Sequence, residues 1–368
     1  MIVQSKKVWI ADQFVPAGID IQDGKIAAIL PYGSKDPDDD YGTKRIVPGF
    51  MDIHCHGAFE FDTNDANEAG LRYWAEHIVG EGVTGFLPTT ITQSKEVLTN
   101  AVANVANVME SNYEGAEILG IHFEGPYLDM KYKGAQPEQY IVKPTIEEFQ
   151  HYQKAARGHI KLVTMATETD EDFALTRYLD ENGVVVSIGH SAATYEQALM
   201  AYANGASSMT HVYNGMTPFN HRANGLVGAA YRFRTMYGEI ICDACHSTPA
   251  ALNNYFMSKG PDYAIMVSDA LMAKGTPVGS KYLFAVGAAG ALVCRILEKH
   301  PKSGLRVRRL HRMEVVSALC YCLSAFFMFY ADTVSDWLAF LTAGAVLQLY
   351  TSFMLPRAER QEREANKK

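Results

Sequence analysis

VPGFMDIHCHG, residues 47–57, decides how this chain is read. Pro48 and Gly49 break what precedes, and an apolar run follows that closes on His54, Cys55 and His56. In a β-strand, residues two apart point to the same side. His54 and His56 then face one way and Cys55 the other. Two imidazoles on one face at a strand end suit zinc or a similar divalent ion, but by themselves define no reaction.

The same kind of run recurs. After FMDIHCHG come GFLPTTIT, EILGIHFEGP, IKLVTMATE, VVVSIGHS, SSMTHVYNG, GEIICDACHS and YAIMVSDAL. Most gaps carry helical patterns, such as NEAGLRYWAEHIVGEG, EVLTNAVANVANVMES, DEDFALTRYLDENG and TYEQALMAYANGA. Strand then helix, repeated eight times, predicts an α/β fold, a (β/α)8 TIM-like barrel over residues 49–280. A doubly wound open sheet is the alternative. It gives no reason for polar residues at the downstream end of each strand, whereas in a barrel those ends form the active-site face. Residues 1–48 read as short strands, with Asp23-Gly24 as a hairpin signal. They predict a small β-layer ahead of the barrel.

Composition bounds the rest. The chain has 368 residues, 48% of them hydrophobic and 20% charged, which predicts a sizeable core rather than disorder. A formal net charge of −8 argues against a general nucleic-acid binder. The six cysteines form no secreted disulfide framework. Cys242 and Cys245 lie in CDACH, which matches c-type haem attachment and, more loosely, a redox pair. Their place at the end of an apolar run makes two buried thiols the expectation. The opening MIVQSKKVWIADQF has no signal-peptide pattern, so the catalytic part is expected to be cytoplasmic.

The strand ends collect His54 and His56, then Glu124, His190, His211, His246 and Asp269. One histidine at a strand end is more often structural. Seven such groups at the same end of six strands need a cation to offset the buried carboxylate charge. A metal with an open position acidifies bound water and polarises a carbonyl. A nearby carboxylate can take that proton and pass it to a leaving amine. Asp269, alone on the last strand, is the candidate, and hydrolysis of an amide-like bond is the reading from residues. His122 shares the face of Glu124 and is expected to support it rather than ligate. His77, His151 and His159 carry no case.

PGFMDIHCHG, GIHFEGPYL with KGAQP, SIGHS, THVYNGMTPFNHR and MVSDA together resemble the amidohydrolase superfamily, and more narrowly the N-acetylglucosamine-6-phosphate deacetylases. The resemblance covers about residues 1–280. It implies a barrel of the metal-dependent hydrolase type with a partial β-sandwich layer. It implies a divalent cofactor, most often zinc, as one or two ions. Glu124, His190 and His211 would hold the core metal, and His54 with His56 a second. Asp269 would be the acid and base. His246 would contact the sugar, and Ala135 and Gln136 would line the acetamide and sugar pocket. Asn214, Gly215 and Arg222, with His221, would hold the sugar phosphate, for which an arginine fork is suited. It also implies a homodimer. A different acylated amino sugar is the alternative substrate class.

After residue 280 the resemblance stops. Residues 281–368 contain three apolar runs, at 282–293, 315–331 and 337–355, with basic flanks. The last two approach bilayer-spanning length and predict a mainly helical tail, a membrane hairpin with cytoplasmic ends, with two buried core helices as the alternative. The expectation for the whole chain is then a chimera, a truncated deacetylase barrel joined to a membrane segment, with an inactive barrel as the alternative function.

Overall fold

The computed structural model describes residues 1–276, 305–330 and 334–365, with residues 288, 289 and 292 besides. They form two compact units, one of residues 1–55 and 63–269, the other of residues 56–62 and 270–368.

The first unit begins with β1 (Ile2–Ile10), β2 (Gln13–Gln22) and β3 (Lys25–Pro31), joined as antiparallel neighbours. The β2–β3 hairpin turns at Asp23-Gly24, with φ of 51° and 73°. Successive left-handed residues are what a tight two-residue turn needs, and Asp-Gly supplies them. The two-residue strands β4 (Asp39–Asp40) and β5 (Arg45–Ile46) pair with β1 in parallel. Val8, Ala17 and Ile19 are buried between them, packed by Val3, Ile10, Val15, Ile21 and Ile46.

The barrel strands follow. They start with β6 (Phe50–Cys55), after which β7 (Gly57–Ala58) and β8 (Phe61–Asp62) belong to the other unit. Next come β9 (Val83–Pro88), β10 (Glu117–Ile118), β11 (Ile121–Glu124) and β12 (Ile160–Met165). The series ends with β13 (Val185–Ile188), β14 (Ala206–Met209), β15 (Tyr237–Ile241) and β16 (Ala264–Val267). All eight sequence runs thus hold a strand. One parallel sheet runs β10-β9-β6 and another β11-β12-β13-β14-β15-β16. A parallel bridge from Thr89 to His122 links them on one side. On the other, Asp269 N donates to His54 O at 2.9 Å, and Ser268 donates to the buried Asp52 carboxylate. The parallel strands therefore curl into a TIM-like barrel.

Helices fill the crossovers: α1 (Glu68–Ile78), α2 (Lys95–Met109), α3 (Ile146–Ala155), α4 (Ala174–Glu181), α5 (Tyr195–Ala203), α6 (Gly225–Arg232) and α7 (Pro249–Lys259). All but α4 and α6 start on a side-chain cap. Ser94 accepts from Val97 N, and Thr194 and Gln197 form a reciprocal capping box. Trp74, Phe86, Leu98, Phe123, Tyr152 and Ile160 are fully buried. Burial of each such side chain is worth about 1.5–3 kcal/mol.

Lys259 closes α7 against α6. It is buried, and its Nζ donates to Ala230 O at 3.1 Å and Phe233 O at 2.8 Å, carbonyls at the end of α6 and just past it. Burial pulls its ammonium down to about 8. Replacing Lys259 by Met keeps the stem and removes both of these bonds, so stability is expected to fall by about 1–3 kcal/mol. The folded value lies below the unfolded one. Between pH 8 and the unfolded value, only the unfolded chain holds the proton, so this group's contribution rises with pH. The margin of wild type over Lys259→Met in urea melts should widen across that window; a flat or shrinking margin would count against the account.

In the second unit, β7 and β8 pair antiparallel, and the residues around them bond to residues 270–274: His56 N and Gly57 N donate to Ala270 O, and Glu60 N donates to Met272 O. The tail is helical at Leu305–Tyr330 and Val334–Ala365, with Pro356 inside the second helix. The two helices pack along each other through Val307, Leu310 and Ala358, and Ser317 Oγ donates to Gly344 O at 2.8 Å. The membrane hairpin expected from residues 315–331 and 337–355 is not borne out. Among the described residues, no helix is long and apolar enough to cross a membrane. The first helix opens with Arg306, Arg308, Arg309, Arg312 and Glu314, so its apolar stretch starts late. The second is interrupted by Thr342, Gln348, Thr351 and Ser352. Residues 282–287, part of the first apolar run, lie outside the described residues.

Candidate metal centre

Five side chains meet at the barrel rim of the first unit. His54 stands near the end of β6 and Glu124 ends β11. His190, His211 and Asp269 each lie two residues past a strand, after β13, β14 and β16. Their φ values are 47°, 29° and 49°, in the left-handed region that ordinary side chains seldom enter. Such backbone persists only where the surroundings hold it, and here it turns three functional side chains as their strands end.

Glu124 is the centre. It is 1% exposed, and its Oε1 lies 3.5 Å from His54 Nε2, 3.4 Å from His190 Nε2 and 3.5 Å from His211 Nε2. Asp269 Oδ1 approaches His54 Nε2 at 3.3 Å. The far side of each ring fixes its tautomer. His190 Nδ1 faces Tyr132 O at 2.9 Å, and His211 Nδ1 faces Asn214 O at 3.1 Å. A carbonyl only accepts, so each Nδ1 carries the hydrogen, and in the neutral ring each Nε2 keeps a lone pair. Those two Nε2 atoms are 3.2 Å apart. Two facing lone pairs beside a carboxylate oxygen call for a cation between them. Glu124, His190 and His211 can offer ligand atoms all within 4.8 Å of one another. An N, N, O set of this kind suits zinc and its neighbours.

The charges agree. Burial pulls the His54 imidazole down, but the Glu124 and Asp269 carboxylates outweigh it and hold it well above the usual range. Burial pushes the Glu124 carboxyl up, but the His54 and His190 imidazoles outweigh it and hold it well below. His190 is raised in the same way, burial opposing and Glu124 prevailing.

The other expected residues fall in several places. His122 spends both ring nitrogens on protein groups, Nε2 on Thr164 Oγ1 at 2.7 Å and Nδ1 on Ile53 O at 3.1 Å, so it supports the cluster rather than ligating. Gln136 is buried and turned toward the cluster: its Nε2 donates to Glu124 Oε2 at 2.9 Å, and its Oε1 accepts from Thr92 N at 2.7 Å. Ala135 is exposed beside it. Asn214 presents a buried Nδ2 with no hydrogen-bond partner among the described residues. At Gly215, with φ of 59°, a Cβ would stand 3.1 Å from His190 Nδ1, so a side chain there would be strained and would crowd this ring. His221 and Arg222 are exposed on the loop beyond. His246 is exposed, its Nδ1 2.7 Å from Asp243 Oδ2. Cys242 and Cys245 are exposed free thiols, against the expectation of burial. β15 ends at Ile241, so the pair belongs to a rim loop and not to the strand. Cys55 is buried, its thiol toward Leu87 O. His56 is buried at the start of the second unit and is described with it.

One residue escaped the sequence reading. Glu239, inside β15, is fully buried, and its Oε2 meets His54 Nδ1 at 2.8 Å. The signal was a lone carboxylate within the apolar run GEII, since buried charges are seldom left without a partner.

A parallel β/α barrel that gathers three imidazoles on one buried carboxylate, with a second carboxylate, Asp269, against His54, defines a metal-dependent hydrolase barrel. The profile described as the Amidohydrolase family matches residues 45–285, and the chain belongs to that family, whose members are metal-dependent. The N-acetylglucosamine-6-phosphate deacetylase of Lysinibacillus sphaericus is 40% identical over 261 residues, 70% of this chain and 67% of the relative. That of Bacillus subtilis is 38% identical over 271 residues, 71% of this chain and 68% of the relative. An aspartate-to-alanine mutant of the Mycobacterium smegmatis N-acetyl-D-glucosamine-6-phosphate deacetylase, solved in complex with N-acetyl-D-glucosamine-6-phosphate, superposes with a TM-score of 0.69 at 27% identity, covering 75% of this chain and 72% of that one.

Proposed function

We propose that this chain hydrolyses N-acetyl-D-glucosamine 6-phosphate to D-glucosamine 6-phosphate and acetate. The convergence of the His54, His190 and His211 Nε2 atoms on Glu124 Oε1, with Asp269 beside them, carries the reading. The deacetylase relatives agree with it in reaction and substrate class. Glu124, His190 and His211 would hold the divalent ion, zinc in this proposal. When bound there, the ion polarises the amide carbonyl and acidifies a water. Asp269 takes the proton from the attacking water and returns it to the departing amine. His54, its Nε2 within 3.3 Å of that carboxylate and 3.5 Å of Glu124, would be a further ligand to the metal. Gln136 fixes the second oxygen of Glu124 while Ala135 borders the acetamide pocket. Asn214, Gly215, Arg222 and His221 receive the phosphate and His246 the sugar. The His-Cys-His spacing supports His56 as a further ligand. A homodimer completes the proposal.

Acetate release from N-acetyl-D-glucosamine 6-phosphate tests it. Activity should vanish after dialysis against a chelator and return with one divalent ion. A protein that binds the ion and releases no acetate would favour the inactive barrel. Preferential turnover of another N-acylated amino-sugar phosphate would favour the alternative substrate class.

A further inference from the structure

We propose that Glu239 is a positioning residue that sets His54 for metal binding, a role that rests on the metal-site reading above. Three observations carry it. Glu239 Oε2 stands 2.8 Å from His54 Nδ1, so the ring donates there and turns its Nε2 toward Glu124 and Asp269. Glu239 is fully buried, and its Oε1 has no hydrogen-bond partner among the described residues. Its one ion pair among those residues is with His54. A buried carboxylate in the middle of a strand is costly, and an apolar side chain would pack there at less expense. What Glu239 offers in return is specific to His54: a fixed tautomer, a fixed ring plane and a more basic Nε2. Carboxylates behind ligating histidines do this for metals generally, and their loss weakens metal affinity by about 10–100-fold.

The two residues are 185 apart in sequence and come from β6 and β15. Neither strand neighbours the other in the barrel, so the contact crosses its interior. Glu239 thereby reaches the metal centre through His54 without being placed to touch substrate.

The test measures zinc affinity of the full chain by competition with a chromophoric chelator, alongside acetate release. Glu239→Gln keeps an acceptor and removes the charge; Glu239→Met removes both. We expect zinc affinity to fall by about tenfold in Glu239→Gln and further, toward about 100-fold, in Glu239→Met. In a His54→Ala background, Glu239→Gln should cost no further affinity, because its effect runs through that ring. A merely structural role would persist in that background and would overturn the proposal. Wild-type zinc affinity in both folded single variants would overturn it while leaving the metal site standing. A wild-type chain that binds no divalent ion would overturn both. If Glu239→Met fails to fold, Glu239→Gln and the His54→Ala pair still decide.

Discussion

Asp269→Asn should reduce acetate release by about 10²–10⁴-fold and leave the protein folded, the range general acid–base catalysis contributes. The substitution is gentle to the backbone. Asp269 has φ of 49°, a conformation that asparagine tolerates better than most side chains. Its N–H bond to His54 O at 2.9 Å, part of the link between β16 and β6, stays in place. The amide matches the carboxylate in shape but cannot accept the proton of an attacking water. Metal content should remain close to wild type, because Glu124, His190 and His211 are untouched. The measurement is kcat with metal analysis on the same preparation. Activity within tenfold of wild type would remove Asp269 from the chemistry; loss of metal together with activity would recast it as a ligand.

That residue was legible from position alone. The strand runs are short and apolar, each ends in a polar residue, and strand period fixes which side chains share a face. His54, Glu124, His190, His211 and Asp269 were collected as polar residues at strand ends, and all five meet at the rim. The last three stand two residues past their strands, where strand period no longer fixes direction. His246, collected with them, is exposed and pairs with Asp243 instead. Glu239 was not collected, because its importance lies in a contact across the barrel rather than in local pattern. The double engagement of Gln136 was hidden for the same reason: Thr92 N and Glu124 come to it from β-strand ends far apart in sequence. The thiols of Cys242 and Cys245 were misplaced because an apolar run was extended past its last paired residue, Ile241. The tail was misread for a different cause. Length and apolarity resemble a span, yet the charges at 306–314 and the polar residues between 342 and 352 suit two helices packed on each other. Ser317 and Gly344 do that directly, hydroxyl to carbonyl, where a Cβ on Gly344 would meet the Tyr321 ring at 2.9 Å.

Glu124→Gln should abolish metal binding without unfolding the barrel, and the geometry says why. Gln136 Nε2 now donates to Glu124 Oε2 at 2.9 Å. A glutamine at 124 would place its carbonyl there to accept the same bond. Its amide nitrogen would then occupy the Oε1 position, 3.4–3.5 Å from three imidazole Nε2 atoms. An N–H group among lone pairs forms hydrogen bonds, so the pocket is satisfied by the protein itself and a cation is excluded. Zinc affinity should fall by more than the about 10–100-fold expected of a partner behind a ligand, and acetate release with it. The titration of His54 should change too. The Glu124 charge is the chief influence that lifts this imidazole against burial, so its removal should bring the His54 value down. In the metal-free wild type the raised His54 stabilises the fold below its unfolded value, and that stability is lost as pH rises through the folded one. The variant should show less of this loss on the alkaline side. Histidine resonances followed through pH, with thermal melts of both metal-free proteins, would read it. An unchanged His54 titration in Glu124→Gln would mean that Asp269 and Glu239, not Glu124, govern the charge at the centre of the site.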